Sequence, residues 1–338
     1  MHVVLFIGHG SRDPEGCEEY RQMVKMMEDR LKGVRMASCF LEFEPPNVQE
    51  GIDHCVAMGA TEITAIPVML LDAQHFTRDI PAELALARKR HPHLTIRYGA
   101  HLGFHEKLMD VLLECLQEVG EDPFQDNSDA AVLLVGRGSS DPVANANFYK
   151  MSRMLWERTA YETVENAFIG LTRPTLEEGL ARCFRLGMKR VVVAPYFLFT
   201  GRLYKKIRRI TLQTAAANPG TVIKITRYFG LHPKVFDVLE QRVEEAVNGR
   251  FTAYDHDWMR GLAEGRYGKR EGHHHGHHHH HHHHHHAHED GDHDRRHHAH
   301  HHDDYPHHGH SHDDRGPHDL GDLAAEASYA HQAVPGKG

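Results

Sequence analysis

The sequence predicts an α/β protein in which one unit, a small parallel sheet flanked by helices, occurs twice in tandem and is followed by a histidine-rich tail. The first observation is internal. Shifted by 128 residues, 4–14 (VLFIGHGSRDP) falls on 132–142 (VLLVGRGSSDP), 40–52 (FLEFEPPNVQEGI) on 168–180 (FIGLTRPTLEEGL), and 59–67 (GATEITAIP) on 187–195 (GMKRVVVAP). Ordered matches in constant register mark a repeat. The second observation is the alternation of short apolar runs with amphipathic stretches, the pattern of βα units. The third is compositional: 26 of the 36 histidines lie between His273 and His331.

The elements follow in order. Residues 3–7 are a continuous apolar run closed by Gly8, short enough for a buried parallel strand. Asp13 and Pro14 then read as a helix cap and a first-turn proline, and Tyr20, Val24, Met27 and Leu31 recur at helical spacing up to Gly33. Further strands are expected at 36–41, 62–68 and 95–98, with helices at 47–58, 80–91 and 106–118. The second half repeats the order, with strands at 131–135, 165–171, 190–195 and 222–227 and helices starting near Val143, Thr175, Leu203 and Pro233. These readings divide the chain into a first half, 1–122, a linker rich in acid, Pro and Asn at 123–129, a second half, 130–250, and a tail, 251–338.

Composition narrows the function. A formal net charge of -8 argues against nucleic acid as a partner, because neutralising phosphates needs a basic face. No run of about 18 apolar residues is present and the N-terminus enters a strand without a signal pattern, so no membrane partner is expected and the location is read as cytoplasmic. Cys17, Cys39, Cys55, Cys115 and Cys183 are odd in number and widely spaced, which writes neither a disulfide framework nor a Cys-x-x-Cys site; they are read as small buried residues.

In open parallel sheets ligands sit beyond the carboxyl ends of the strands. His9, Glu42 and His75 fall at or just after such ends in the first half. Imidazole nitrogen with carboxylate oxygen suits divalent Co, Ni, Fe or Zn, and three ligands leave positions open, as a transferring or catalytic site requires. At the 128-residue shift these residues become Arg137, Gly170 and Leu203, so one metal site per chain is expected. The second half offers cations instead: Arg137, Arg173, Arg202 and the run Lys205, Lys206, Arg208, Arg209, the last of which also reads as a solvated helix face. Ser11, Arg12 and Ser139 stand open between donating to a substrate and fixing their loops.

With GHGSRDP at 8–14, FLE at 40–42 and LLDAQHFTRDIP at 70–81, residues 1 to about 245 resemble the sirohydrochlorin chelatases of the CbiX and SirB kind, in their long, two-half form. The resemblance implies two chelatase-type α/β domains with the site in the cleft between them. It implies insertion of a divalent metal into a tetrapyrrole, with His9, Glu42 and His75 as metal-binding and catalytic residues. Ser11, Arg12, Arg137, Ser139, Arg173 and Arg202 are then the expected contacts to sirohydrochlorin, whose rim carboxylates suit arginine forks. Co2+ is expected as substrate, with Ni2+ and Fe2+ as alternatives and no permanently bound cofactor. Which histidine mainly removes pyrrole protons stays open between His9 and His75.

The tail is sparse in apolar residues and cannot bury enough surface to offset ordering entropy, so disorder is expected, with many weak sites for divalent ions. Delivery of metal to the cleft and sequestration of surplus ion are both open. A competing reading makes the whole chain a cobalt or nickel store or metallochaperone.

Overall fold

A computed structural model describes residues 1–71 and 74–249; the expected tail at 251–338 lies outside the described residues. The first sheet is built from β1 (His2–Gly8), β2 (Arg35–Phe40), β3 (Glu62–Pro67) and β4 (Thr95–Tyr98), all parallel, in the order β2-β1-β3-β4. The second is built from β5 (Asn127–Gly136), β6 (Tyr161–Phe168), β7 (Arg190–Pro195) and β8 (Val222–Ile225), in the order β6-β5-β7-β8. The central strands are apolar because both faces are covered by helices. Residues 3–7 of β1 are fully buried, as are residues 130–135 of β5.

The crossover helices are α1 (Pro14–Arg30), α2 (Val48–Ala57), α3 (Ile80–Arg90) and α4 (Glu106–Glu118) in the first half, and α5 (Pro142–Glu157), α6 (Leu176–Arg185), α7 (Arg202–Ala217) and α8 (Pro233–Val247) in the second. Their starts are written locally. Asp13 and Asp141 cap α1 and α5 ahead of a proline, and α2 and α6 each open with a capping box, Asn47 with Glu50 and Thr175 with Glu178. The five cysteines are buried and unpaired, and burial pushes the Cys55 and Cys183 thiols up to about 12, which leaves them unreactive.

Two elements depart from the sequence reading. β5 begins at Asn127, inside the stretch read as linker. The polar composition there serves a buried network: Asn127 donates to the carbonyls of Asp122 and Gln125, and Glu121 pairs with Lys224 and Arg190 at 2.5 and 3.1 Å. The other is a π-helical turn, His75–Asp79, placed directly ahead of α3.

The halves are joined by an exchange of their last helices. α4 packs against α8 and reaches β7 of the second sheet, whereas α8 lies against β3 and β4 of the first. One apolar core therefore runs from Val4 and Phe6 through Leu112 and Leu239 to Val132 and Leu134. Ion pairs of Lys234 with Glu114 and of Lys107 with Asp237 fasten the crossing. Because Leu239 is fully buried in this shared core, Leu239→Ala is expected to destabilise the protein by about 2–5 kcal/mol. Amide exchange in β1 and β5 should rise together; loss of protection confined to the second sheet would contradict a common core.

Candidate active site

The strand order of each sheet changes direction between its two central strands, where loops leave the carboxyl ends to opposite faces and open a crevice. The loops after β1 and β3 face those after β5 and β7 across a cleft of about 640 Å³, lined among others by His9, Arg12, Leu70, His75, Arg137, Leu198 and Arg202. That volume lies within the range of small-molecule sites.

His9 is brought to the cleft by a loop that only glycine permits. Gly10 has φ 88°, and a Cβ placed there would stand 1.8 Å from the carbonyl oxygen of Glu42. The close approach lets the Glu42 amide donate to the His9 carbonyl at 3.0 Å, tying the ends of β1 and β2 together. His75 arrives on the π-helical turn, its ring edge-on to that of His9 with centroids 4.6 Å apart. Its Nδ1 stands 3.8 Å from Glu42 Oε1. His9 and His75 thus share one wall of the cleft, with Glu42, remote in sequence from both, beside His75.

The hydrogen bonds fix which ring nitrogens carry the proton. The carbonyl of Gly10 can only accept, so the 3.0 Å contact puts the proton of His9 on Nδ1 and leaves the Nε2 lone pair toward the cleft. His75 Nδ1 likewise donates to Asp79 Oδ2 at 2.8 Å, which keeps the proton of His75 on Nδ1. A carboxylate behind an imidazole fixes its tautomer and ring orientation, as behind metal-bound histidines. Burial holds His9 below the usual histidine range; the charge of Arg137 adds to this and the hydrogen bond to Gly10 opposes it. Neutral imidazole is therefore its resting form at neutral pH.

From the second half, Arg137 donates through Nη1 to His9 Nε2 at 2.8 Å. It occupies the position that corresponds to His9 and meets it across the cleft. Among the described residues no three His, Cys, Asp or Glu side chains stand grouped around one point, and Nε2 of His9 is held by Arg137. Arg12 and Arg202 also line the cleft. Ser11 and Ser139 line it too, and each accepts the amide two residues on, from Asp13 and Asp141 at 3.0 Å. Their oxygens fix the loops and their hydroxyl protons remain available to donate.

Arg173, expected as a substrate contact, does not line the cleft. It turns outward, 81% exposed, and its Nε donates to Glu178 at 3.2 Å, because the carboxylate of the α6 capping box draws it away from the cleft. Lys205 is likewise engaged elsewhere: it holds Asp13 at 2.9 Å and Glu15 at 3.0 Å, which fastens α7 to the start of α1. That pairing keeps the Asp13 carboxyl below the usual carboxylate range.

Several lining residues escaped the sequence reading. Leu70, Leu71, Leu198 and Phe199 give the cleft an apolar wall, and Phe43 stands at its rim. Asp79 had a legible signal, since it follows His75 by four residues, one helical turn. Phe43 had none, because a single aromatic after a strand looks like any core residue.

Two parallel-sheet halves whose facing strand ends frame a cleft of imidazoles and arginines define a tandem α/β protein of the chelatase type. The CbiX family model matches residues 3–119 and again 131–246. The chain is 45% identical over 250 residues to the sirohydrochlorin cobaltochelatase of Priestia megaterium, covering 74% of this chain and 81% of that one. It is 32% identical over 255 residues to the sirohydrochlorin ferrochelatase of the same organism, covering 75% and 94%. Among solved structures, SirB from Bacillus subtilis with Fe3+ superposes with a TM-score of 0.66 at 30% identity, covering 76% of this chain and 99% of that one. The chain belongs to the CbiX family.

Proposed function

We propose that this chain inserts Co2+ into sirohydrochlorin on the route to cobalamin, releasing two pyrrole protons, in the cytoplasm. The observation that carries the reading is the meeting of His9 and His75, with rings 4.6 Å apart, on the wall that faces Arg137 and Arg202. Once Arg137 turns from His9 Nε2 to a rim carboxylate, the Nε2 atoms of His9 and His75, with the carboxylate of Glu42, hold the incoming ion as its waters are shed. As the ion passes to the pyrrole nitrogens, each imidazole lone pair it vacates accepts one of the two displaced pyrrole protons, which neutral imidazole does well near pH 7. Arg12, Arg137 and Arg202 take rim carboxylates, with Ser11 and Ser139 donating beside them, while Leu70, Leu71, Leu198 and Phe199 cover the apolar face. The two relatives support this substrate, and the higher identity to the cobaltochelatase favours cobalt over iron.

The test is spectrophotometric. Metal-free sirohydrochlorin is mixed with the full chain and, separately, Co2+, Fe2+ or Ni2+, and insertion is followed by absorbance. Insertion fastest with Co2+ is the expected result; acceleration only with Fe2+ would assign the chain to sirohaem synthesis instead, and no acceleration with any ion would leave a metal store. We read the 251–338 tail as a reservoir that delivers metal to the cleft. Its deletion is expected to slow insertion when Co2+ is scarce and to leave the rate unchanged when Co2+ is saturating; unchanged rates in both regimes would contradict delivery.

A further inference from the structure

The rim of the cleft carries a feature that metal ligation and carboxylate binding leave unused. Phe43, directly after Glu42, has φ 68° and is the one non-glycine with positive φ among the described residues. An aromatic residue in the left-handed region is strained relative to ordinary backbone, so glycine or asparagine is the usual occupant. Its side chain does not recover this cost by burial, being 52% exposed. The conformation instead aims the ring over the cleft, where it lies 6.2 Å from the His9 ring at a tilt of 31°.

The second half repeats the exposed apolar side chain, though not the positive φ. At the 128-residue shift Phe43 corresponds to Leu171, which is 69% exposed and also lines the cleft. The neighbouring pairs have diverged: His9 faces Arg137 and Glu42 corresponds to Gly170. A large exposed apolar side chain is thus present at the same place in both halves, although the groups that bind metal are present in one. A residue serving metal chemistry would follow the ligands; a residue serving a ligand that touches both halves would appear twice.

We propose that Phe43 and Leu171 are paired jaws, one from each half, that grip the apolar face of the tetrapyrrole and hold its centre over His9 and His75. The inference rests on the chelatase reading and adds to it the residues that position the macrocycle. The guanidinium of Arg12 sits 5.0 Å from the Phe43 ring centroid, a cation–π contact that places a carboxylate-binding group and a face-covering group side by side. A flat conjugated macrocycle with an acidic rim presents the complementary pair.

The experiment titrates metal-free sirohydrochlorin, followed by its own fluorescence, into the full chain in the absence of metal ions. Phe43→Ala is expected to weaken binding about 10-fold, as loss of an aromatic stacking surface does, and Leu171→Ala by less, while Phe43→Trp binds as the wild type does. Phe43→Gly separates the jaw from a structural role. It removes the ring and the strained backbone together, so macrocycle affinity falls while the melting temperature holds or rises. Binding within twofold of wild type for both Phe43→Ala and Phe43→Gly overturns the jaws, as does a melting temperature that falls in step with affinity in Phe43→Gly. Failure of the wild-type chain to bind sirohydrochlorin at all would overturn the chelatase reading itself, a separate result.

Discussion

Replacing His9 with alanine is expected to lower the rate of cobalt insertion by about 10²–10³-fold, the scale on which a positioned base acts. Two contributions disappear at once. The Nε2 lone pair, unprotonated because Gly10 holds the proton on Nδ1 and freed when Arg137 withdraws, no longer binds the ion or, once the ion has passed on, accepts a pyrrole proton. The fold should survive, since the loop is organised by backbone: Gly10 against the Glu42 carbonyl, and the Glu42 amide to the carbonyl of residue 9. An unchanged melting temperature with a collapsed rate is therefore the expected pair of readings, and a rate within threefold of wild type would remove His9 from the mechanism. The pH profile carries a second signature. Burial holds His9 below its ordinary value of 6.5, so the reactive neutral form persists as pH falls through that value, and the acid limb assigned to His9 lies below it. In His75→Ala that limb remains; in His9→Ala it is lost.

Arg137→Ala is expected to raise the KM for sirohydrochlorin by about 10–100-fold, the span of a charge-assisted hydrogen bond to a carboxylate. Arg137→Lys should recover only part of this, because a point charge replaces a fork. The substitution also touches His9. Arg137 donates to Nε2 at 2.8 Å, and its charge is one of the causes that keep the His9 pKa low. Without it the acid limb should move up, toward the ordinary histidine value. A raised KM with the limb unmoved would mean that Arg137 binds the macrocycle without influencing His9. An unchanged KM with a shifted limb would mean that it serves His9 alone.

How much of this was legible in the sequence differs by layer. Strands were plain where both faces are buried, as in residues 3–7, because continuous apolar runs bounded by glycine admit few other readings. The constant 128-residue register carried over to matching caps and capping boxes in the two halves. The exchange of α4 and α8 was not legible, because an amphipathic helix shows which face it buries and not against which sheet. The site divided along the same line. Placing His9, Glu42 and His75 at strand ends brought them to neighbouring positions, since topology decides where strand ends lie. Arg173 follows a strand end as Arg137 does, yet Glu178 in the next helix turns it outward, a choice made by one side-chain pairing that no spacing rule contains. Phe43 is the complementary case, where a backbone angle of 68° gives an ordinary residue an unusual direction.

The central claim is that His9, Glu42 and His75 hold the metal as it enters the macrocycle. Its most direct test is an anomalous difference map, measured at the cobalt absorption edge, from crystals of the chain grown with Co2+ and sirohydrochlorin. The account predicts a peak in the cleft, at ~2.1 Å from the Nε2 atoms of His9 and His75 and from a carboxylate oxygen of Glu42, with Arg137 withdrawn from His9. A cleft peak that touches none of the three, in crystals whose dissolved protein still inserts cobalt, would contradict it.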